Sequence, residues 1–424
     1  MLEIKSVRGM NDLFGVELEH WHYVESKIKK VFHSFGYSEI RTPALEKIEV
    51  FSGTVGDETD IVEKQMYQII TDSETYVLRP EGTASFMRAV LEHNLHGTGQ
   101  PGRYFYYLPM FRHERPQKGR LRQFHQFGAE LINDASPEAD AELITVLDQI
   151  YKSFEVTEYR VRINSVGCIE CRPPYKDKLK DFFQPKLNEL CEQCQKRFER
   201  SPMRILDCKR ESCRAIAKTA PLIPSCICSS CKTHHERVKT CLTMAQVKFE
   251  EDPYIVRGLD YYTRTAFEFT SELLGAQDAL GGGGRYDGLS SRFGKAPFPA
   301  VGFGLGMERL MIALQETKRL PQTIQTPSFF FSPLGDKAFE LLFPLSLKLK
   351  RQGVWCEISY EKTKGLKWLL KQANRLNADF SLMIGDEELK SGSALLKNMK
   401  SGTQETLSIT SLESELLRRA THAP

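Results

Sequence analysis

Large apolar residues recur near the start of the chain at the spacing of one face of a helix. They are Leu18, Trp21, Val24, Ile28, Val31, Phe32 and Phe35. Gly36 follows the last of them. The pattern predicts an amphipathic helix that ends at this glycine. Its apolar face could be buried inside its own domain or against a second copy of the chain.

The segments that follow alternate in the way that strands do. The predicted strands cover residues 37–46, interrupted at Pro43, and residues 74–78, 102–114 and 121–131. Proline is rare in central strands, so the first of them is expected to be irregular. Residues 137–154 indicate a helix, with Ser136 as its N-cap and Pro137 at its first position.

A different pattern begins after residues 319–327, a polar segment flanked by proline that is typical of a linker. Beyond it, predicted strands alternate with predicted helices. The strands lie near residues 329–332, 354–358 and 380–384, and the helices near residues 335–351 and 364–376. This alternation is typical of an α/β module with its own parallel sheet.

Composition excludes several classes of protein. Hydrophobic residues make up 41% of the 424 residues, charged residues 27%, and the mean hydropathy is −0.37. No run approaches the ~18 consecutive apolar residues of a membrane span. The first dozen residues lack the apolar stretch of a signal peptide. We therefore expect a cytoplasmic multidomain protein without a membrane partner.

Cysteine is concentrated in one part of the chain. Ten of the eleven cysteines lie between Cys168 and Cys241. In a cytoplasmic protein, clustered thiols indicate metal ligands more often than disulfides. Residues 166–252 also carry 17 Lys and Arg against 12 Asp and Glu, an excess that suits a polyanionic partner.

Two Cys-x2-Cys pairs in this segment have the spacing of a four-thiolate zinc site. They are Cys168 with Cys171 and Cys191 with Cys194, separated by 19 residues. We expect these four thiolates to hold a structural Zn²⁺. The alternative is that they are reduced cysteines acting as small hydrophobic residues. Other residues could supply a second site or alternative ligands: Cys208, Cys213, Cys226, Cys228, Cys231, Cys241, His234 and His235.

The predicted hairpin over residues 102–131 carries an unusual number of polar groups on one face. Side chains alternate along a strand, so one set of residues shares a face. The set is Arg122, Phe124, Gln126, Gly128 and Glu130, and Arg112 and Glu114 share a face of the preceding strand. This surface indicates a ligand platform, although a solvent-facing hairpin with salt bridges is the alternative.

A second candidate site lies in the segment AVGFGLGMERL. Gly302, Gly304 and Gly306 would share one face of a strand and leave a bare floor for a flat ligand. Arg309 would lie in the first turn of the following helix, where backbone N–H groups favour phosphate. The alternating glycines could instead mark close packing of strands.

These segments, with RGLDYY at residues 257–262 and GGRYD at residues 283–287, resemble those of bacterial histidyl-tRNA synthetases, a family of class II aminoacyl-tRNA synthetases. FRHE with the downstream RQF is similar to class II motif 2, and GFGLGMERL to motif 3. The helix and strand ending at Pro43 are similar to motif 1, which builds the dimer interface of this class. RGLDYY and GGRYD are similar to the two histidine-specific signatures.

The resemblance implies an α+β protein with an antiparallel class II catalytic sheet, a Cys-rich insertion and a C-terminal α/β anticodon-binding domain. The expected boundaries are residues 1–165 and 253–318 for the catalytic domain, 166–252 for the insertion, 319–327 for the linker and 328–424 for the anticodon-binding domain.

The resemblance also implies an ATP-dependent reaction. Histidine is activated to histidyl-adenylate with release of pyrophosphate, and the histidyl group then passes to the 3′ end of histidine tRNA. ATP with Mg²⁺ is the expected cofactor, and the chain is expected to act as a homodimer. Arg112 and Arg257 are expected at the α-phosphate and the histidine carboxylate, with Arg257 replacing a metal ion of related enzymes. ATP would also contact Glu114, Phe124 and Arg309.

By the same resemblance, L-histidine is expected to bind to a set of nine residues. They are Glu81, Gly82, Thr83, Arg112, Gln126, Glu130, Arg257, Tyr261 and Tyr262. Within this set, Glu130 and Tyr262 match the positions that hold the imidazole ring, and Glu81, Thr83 and Gln126 those that hold the α-amino group. The sequence around Glu81 and Thr83 is also typical of a capped turn. Arg115 and Gln117 match loop positions that contact the tRNA acceptor end.

Non-catalytic relatives are the competing interpretation. The same fold occurs in the regulatory subunit of ATP phosphoribosyltransferase and in modules that sense uncharged tRNA. The enzyme is favoured because Arg112, Glu114, Arg257 and Arg309 are all present, and because residues 328–424 indicate a complete α/β domain.

Overall fold

The computed structural model describes residues 4–55, 65–208, 210–255, 261–275, 279–321, 326–361 and 363–420. The chain divides into two compact units, Met1–Leu320 and Pro321–Pro424. The Cys-rich segment, residues 166–252, belongs to the first unit and is called the insert below. Arg257 lies outside the described residues.

Strands of the first unit are listed here in chain order. They are β1 (Ser38–Glu39), β2 (Leu45–Lys47), β3 (Tyr67–Ile70), β4 (Thr75–Leu78), β5 (Gly102–Phe111), β6 (Gln123–Ile132), β7 (Arg160–Ser165), β8 (Glu250–Glu251), β9 (Thr263–Thr270), β10 (Ala279–Arg285) and β11 (Ala300–Gly306). Among the described residues, eight of them form one sheet in the order β1-β5-β6-β11-β10-β9-β7-β8. The inner pairs are antiparallel, and only the edge pairs β1–β5 and β7–β8 are parallel in this described sheet.

The predicted strand over residues 37–46 proves to be two short strands in different sheets. β1 joins the edge of the large sheet, whereas β2 pairs with β4 in a small sheet of order β2-β4-β3. Pro43 lies between them, and its carbonyl oxygen accepts a hydrogen bond from Arg79 Nη1 at 2.8 Å. The proline cannot donate to a sheet ladder, so the strand is interrupted there.

Helices of the first unit surround the large sheet. They are α1 (Gly15–Ser34), α2 (Glu49–Val55), α3 (Thr83–Glu92), α4 (Pro137–Ser153), α5 (Arg172–Phe183), α6 (Glu192–Arg200), α7 (Glu211–Ala217), α8 (Ser229–Met244) and α9 (Met307–Glu316). The start of α4 is as predicted, since the Ser136 side chain accepts a hydrogen bond from the Ala139 N–H and Pro137 follows.

The apolar face of α1 is buried inside its own unit. Trp21, Val24, Ile28, Val31 and Phe32 join a core with residues of β6, β11 and α4. Of the two alternatives that the sequence leaves open for this face, the structure therefore shows burial within the domain.

Alternation along β6 and β11 divides the large sheet into an apolar face and a polar face. The apolar face belongs to the core beneath α1 and α4, with Phe127, Ala129 and Leu131 on β6 and Val301 and Phe303 on β11. Residues of opposite parity, including the alternating glycines of β11, therefore lie on the other face, which carries the site described below.

The insert shares a core with the body of the first unit. Tyr175, Leu179 and Phe183 of α5 are buried in one cluster with Phe86 and Met87 of α3. A shared core means that the insert and the large sheet are packed together, and it explains why the chain divides after residue 320 rather than at the ends of the insert.

The second unit has its own sheet and core. Its strands are β12 (Phe329–Pro333), β13 (Cys356–Ile358), β14 (Phe380–Ile384), β15 (Ser393–Asn398) and β16 (Gln404–Ser408), and its helices are α10 (Asp336–Arg351), α11 (Leu366–Arg375), α12 (Asp386–Ser391) and α13 (Leu412–Ala420). In its described part the order is β13-β12-β14-β15-β16.

This second sheet is mixed, which corrects the prediction of a parallel sheet. β13, β12 and β14 are parallel as predicted, but β15 and β16 pair antiparallel. The turn between Asn398 and Gln404 is too short for a crossover, so the last two strands form a hairpin. Every helix in the described part of the chain is too short or too polar to cross a membrane.

We expect Phe32→Ala to lower the free energy of unfolding by about 3–5 kcal/mol, because the fully buried ring would leave a cavity. Its ring stacks on Phe105 with centroids 4.6 Å apart. Met244→Ala is the matched control, since that side chain is 73% exposed, and it should change stability by less than ~0.5 kcal/mol. Urea titration followed by circular dichroism measures both. Equal effects of the two changes would contradict the packing of α1.

Candidate active site

Glycines of β11 allow polar side chains of β6 to lie flat on the sheet. A Cβ atom at Gly302 would overlap the carboxylate of Glu130, and one at Gly304 would overlap the amide of Gln126. The predicted bare floor at these two positions is therefore covered by the two side chains. Strand alternation had placed Gln126 and Glu130 on one face, and the structure agrees.

Glu130 is fully buried and accepts three hydrogen bonds from hydroxyl groups. The donors are Thr83 Oγ1 at 3.0 Å, Tyr106 OH at 3.1 Å and Tyr286 OH at 2.5 Å. Burial raises the pKa of Glu130 to about 8, although the hydroxyl groups lower it. The carboxyl group is therefore largely protonated at neutral pH.

Two of these donors were not predicted from the sequence. Tyr106 lies opposite Gly128 across β5 and β6, and a Cβ atom at Gly128 or Gly82 would overlap its ring. Tyr286 is the tyrosine of the GGRYD segment. The glycines and the GGRYD segment are visible in the sequence. A glycine does not, however, indicate which distant aromatic ring packs against it.

Glu81 and Thr83 form the start of α3. Both carboxylate oxygens of Glu81 accept backbone hydrogen bonds, from the Thr83 N–H at 2.9 Å and the Ala84 N–H at 2.7 Å. Burial raises the pKa of Glu81, and these N–H groups oppose the rise. The capped turn expected from the sequence is present, and it directs the Thr83 hydroxyl to Glu130.

Tyrosine rings surround the same carboxyl group. Tyr261 packs on Tyr262 with centroids 4.7 Å apart and on Tyr286 at 5.7 Å, and all three are buried. The carbonyl oxygen of Gln126, Oε1, is buried and has no hydrogen-bond partner among the described residues. A flat ring with polar nitrogens and a nearby cation would suit this pocket.

Arg112 lies beside this pocket. Its Nε donates to the carbonyl oxygen of Pro80 at 2.8 Å, and its guanidinium lies 5.1 Å from the centre of the Phe124 ring. Burial lowers the pKa of Arg112 to about 10, so the group remains charged at neutral pH. Glu114 is buried and binds Arg120.

The loop between β5 and β6 leads from Glu114 to Arg120. The backbones of Gln117 and Arg120 are hydrogen-bonded to each other, at 3.0 and 2.9 Å. Arg115 and Gln117, the positions expected to contact the tRNA acceptor end, are exposed in this loop.

Arg309 lies in the first turn of α9, as predicted. Its Nε donates to the Gly119 carbonyl oxygen at 3.0 Å and its Nη1 to the Ala279 carbonyl oxygen at 2.5 Å. The side chain therefore connects the β5–β6 loop with β10. Arg257, which is expected to act with Arg112, lies outside the described residues.

A buried ion pair supports the segment that carries Tyr286, and the sequence did not reveal it. Arg285 and Asp140 are both fully buried, with Nη2 and Oδ1 2.5 Å apart. His234 of α8 contacts the second oxygen of Asp140 at 2.7 Å. Burial opposes ionisation of Asp140, but Arg285 and His234 outweigh it and lower its pKa.

The insert holds two separate groups of cysteines within the described residues. Cys168 and Cys171 meet Cys228 and Cys231, whereas Cys191 and Cys194 meet Cys208 and Cys213. This grouping corrects the prediction that Cys168, Cys171, Cys191 and Cys194 form one site. The first pair follows β7 and the second begins α6, and the chain brings each pair to a different partner.

The other predicted ligands lie elsewhere. His235 contacts Glu251 at 3.1 Å, His234 contacts Asp140, Cys226 lies near Lys178, and Cys241 lies near Glu138.

A cleft of about 1090 Å³ lies between the insert and the large sheet and reaches Tyr261. Basic residues predominate among its charged lining residues. They are Arg172, Lys176, Lys180, Arg200, Arg264 and Arg292. The side of the first unit that carries Tyr261 is thus open to a large and negatively charged ligand.

An antiparallel sheet with motif 2 on a hairpin and motif 3 on a strand followed by a helix defines a class II aminoacyl-tRNA synthetase. The family described as histidyl-tRNA synthetase matches residues 9–310, and the anticodon-binding domain matches residues 329–419. The chain belongs to the histidyl-tRNA synthetase family. The resemblance and the fold class inferred from the sequence are confirmed, and the protein is an enzyme of the aminoacyl-tRNA synthetase class.

Individual relatives agree over nearly the full chain. A histidine–tRNA ligase of Halothermothrix orenii is 42% identical over 98% of this chain and 99% of its own. A histidine–tRNA ligase of Geobacter sulfurreducens is 42% identical over 96% of this chain and 98% of its own. The crystal structure of apo S. aureus histidyl-tRNA synthetase is 34% identical, with a TM-score of 0.83 over 98% of this chain and 100% of that one.

We expect Glu130→Gln to remove a pH-dependent contribution to stability. The pKa of Glu130 rises from 4.5 to about 8 on folding, so the folded state binds its proton more tightly than the unfolded state. The stability of the wild type relative to Glu130→Gln should be greatest below about pH 4.5. It should fall by up to ~1.4 kcal/mol per pH unit until about pH 8.

Glu158→Gln provides a control of opposite sign. The hydrogen bond from Arg319 lowers the pKa of Glu158 to about 2, so its contribution is lost only as the pH falls below about 4.5. Urea titrations from pH 5 to pH 8 should therefore show a slope for Glu130→Gln and none for Glu158→Gln. A stability difference between the wild type and Glu130→Gln that does not change with pH would contradict the raised pKa of Glu130.

Proposed function

We propose that the chain is a histidine–tRNA ligase that activates L-histidine with ATP, releases pyrophosphate and transfers the histidyl group to the 3′ end of histidine tRNA. The observation that carries this proposal is the buried Glu130 carboxyl group with its hydroxyl and tyrosine surroundings, in a chain of this family. An amide-lined and tyrosine-lined pocket of this kind suits a polar heterocycle.

The imidazole ring of histidine would contact Glu130 and Tyr262. A carboxyl group with a pKa of about 8 can donate to one ring nitrogen or accept from it after losing its proton. Tyr286, which donates to Glu130, would hold the carboxyl group in place. A pocket that pairs with ring nitrogens rejects an apolar analogue because its own polar groups would be left unpaired, by ~10⁴-fold or more.

The α-amino group of histidine would bind near Gln126, Glu81 and Thr83, with Tyr261 beside it. Support comes from Gln126 Oε1, a buried acceptor that lacks a partner among the described side chains and backbone groups. An ammonium group supplies the missing donor and places its charge near the Glu81 carboxylate.

Adenylate formation requires orientation and charge neutralisation rather than a base. The histidine carboxylate is already ionised at neutral pH, so it can attack the α-phosphate directly. Arg112, which stays charged although partly buried, and Arg257 would stabilise the negative charge that develops there. Phe124 would stack on adenine, Glu114 would exchange Arg120 for the adenine amino group, and Arg309 would lie over the nucleotide. Mg²⁺ would accompany the phosphates of ATP.

Transfer to tRNA would use surfaces outside this pocket. The exposed Arg115 and Gln117 suit the acceptor end, and the basic cleft beside Tyr261 suits the phosphates of the acceptor arm. Residues 329–419 match the anticodon-binding domain and would read the anticodon. The reaction is expected to take place in the cytoplasm.

Histidine-dependent exchange of pyrophosphate into ATP tests the proposed activity. Purified protein with ATP and Mg²⁺ should incorporate labelled pyrophosphate only when L-histidine is present, and it should charge histidine tRNA. Exchange with another amino acid, or none with histidine, would refute the assignment and favour a non-catalytic relative.

We expect Arg112→Ala to reduce the rate of exchange by about 10²–10³, because one donor to the developing charge is lost. Arg257→Ala should have a similar effect. Arg103→Ala is the matched control: Arg103 lies on the same strand pair but binds Glu142, with Nε and Oε1 2.7 Å apart. Pre-steady-state kinetics separate the rate of adenylate formation from the binding of histidine. A change confined to the KM for histidine would contradict the role of Arg112.

A homodimer is proposed from the family resemblance of the first helix and strand. Since the apolar face of α1 is used within its own unit, the interface would involve other surfaces. Exposed apolar side chains near the start of the chain suit it: Ile4, Val7, Phe14 and Val16. Sedimentation equilibrium at micromolar concentration should give twice the chain mass, and an active monomer would refute the proposal.

A further inference from the structure

The cysteines of the insert form two tight groups, and we propose that each group binds one Zn²⁺ ion. The β7 site comprises Cys168, Cys171, Cys228 and Cys231, and the α6–α7 site comprises Cys191, Cys194, Cys208 and Cys213. Within each group, all four sulfur atoms lie within 4.8 Å of one another. Four cysteines can fill the coordination of zinc, which makes each site structural.

The sulfur positions fit the size of a zinc tetrahedron. Four sulfurs bound at ~2.3 Å lie about 3.8 Å from one another at the corners of a tetrahedron. The sulfur of Cys168 lies 3.4 Å from that of Cys171 and 4.0 Å from that of Cys228. Cys191 and Cys208 are 3.9 Å apart. All of these cysteines are free thiols, and disulfide sulfurs would lie near ~2.05 Å.

Backbone groups already point at the sulfurs in both sites. The N–H of Cys228 donates to the sulfur of Cys171 at 3.1 Å, and the N–H of Cys191 donates to the sulfur of Cys213 at 3.2 Å. Such donors stabilise bound thiolates and orient them toward the metal. Cysteines acting as small hydrophobic residues would have no reason to converge in fours with N–H groups directed at them.

The β7 site attaches the insert to the catalytic sheet. Cys168 and Cys171 follow β7, which pairs with β9 in the large sheet, while Cys228 precedes α8 and Cys231 lies in its first turn. A zinc ion at this site would fix the start of α8 on the end of β7. The α6–α7 site instead connects two helices of the insert to each other.

Residues of α8 connect the β7 site with the pocket around Glu130. His234, one turn after Cys231, contacts Asp140 at 2.7 Å. Asp140 pairs with Arg285, and the next residue, Tyr286, donates to Glu130 at 2.5 Å. Loss of zinc from the β7 site should therefore disturb histidine binding, whereas loss from the α6–α7 site should not. This second step rests on the proposed function.

Elemental analysis of the full chain, purified without added metal, tests the two sites. We expect two zinc ions per chain in the wild type. The double variant Cys168→Ser/Cys171→Ser should retain one zinc ion, and so should Cys191→Ser/Cys194→Ser. Cys226→Ser and Cys241→Ser are matched controls from the same insert, and each should retain two. The wild-type count needs no variant to fold. One zinc ion or none in the wild type, or iron in place of zinc, would overturn the proposal.

Histidine-dependent exchange separates the roles of the sites. The variant of the β7 site should raise the KM for histidine by about 2- to 30-fold, the range of couplings carried through contact networks. The variant of the α6–α7 site should leave this KM unchanged. Equal KM values in both variants would overturn the connection through α8. Because the zinc count uses no substrate, failure of the proposed function would leave it unaffected.

Discussion

Burial of the Glu130 carboxyl group is the constraint on which much of the first unit depends. A carboxylate removed from water without partners is costly by several kcal/mol, so its position requires donors, a raised pKa or both. Glu130 has both, and its donors come from the start of α3, from β5 and from the segment after β10. The carboxyl group also needs a glycine at position 302 beside it. One side chain thus fixes four segments that are distant in sequence.

The Asp140–Arg285 pair plays a supporting part of the same kind. Breaking a buried ion pair leaves an uncompensated charge, a loss of about 3–5 kcal/mol, so the geometry around it is strongly fixed. Arg285 also donates to the carbonyl oxygens of Asp134 and Ser136, which ties β10 to the entry of α4. Because Tyr286 follows directly, the position of the hydroxyl group on Glu130 is set by a network that lies outside the pocket. His234 extends this network into the insert.

Local periodicity predicted part of the fold, including α1, α4, α10 and α11, and the side chains that share the polar face of β6, such as Gln126 and Glu130. It did not predict pairings between distant segments. A Cys-x2-Cys spacing shows which two sulfurs share a turn but not which turns meet, so Cys171 was assigned to the wrong partner pair. The glycine at Gly302 indicated that another group packs closely against the strand there, but not that this group is the Glu130 carboxylate. The second sheet is mixed because of a local hairpin, β15 and β16, whose strands were not among the predicted ones.

The charge balance of the pocket gives a physical reason for a protonated Glu130 before substrate binds. Glu81 and Glu130 are both buried, and the charge of each raises the cost of ionising the other. Glu81 has partners, because two N–H groups of α3 and the positive charge of Arg112 favour its ionised form. Glu130 has only neutral hydroxyl donors among the described residues, so its proton supplies the balancing charge. The ammonium group of an amino acid bound as proposed would bring a positive charge to the same place. In the histidine site proposed above, substrate binding would therefore make ionisation of Glu130 easier, and the carboxylate could then pair with the imidazole ring.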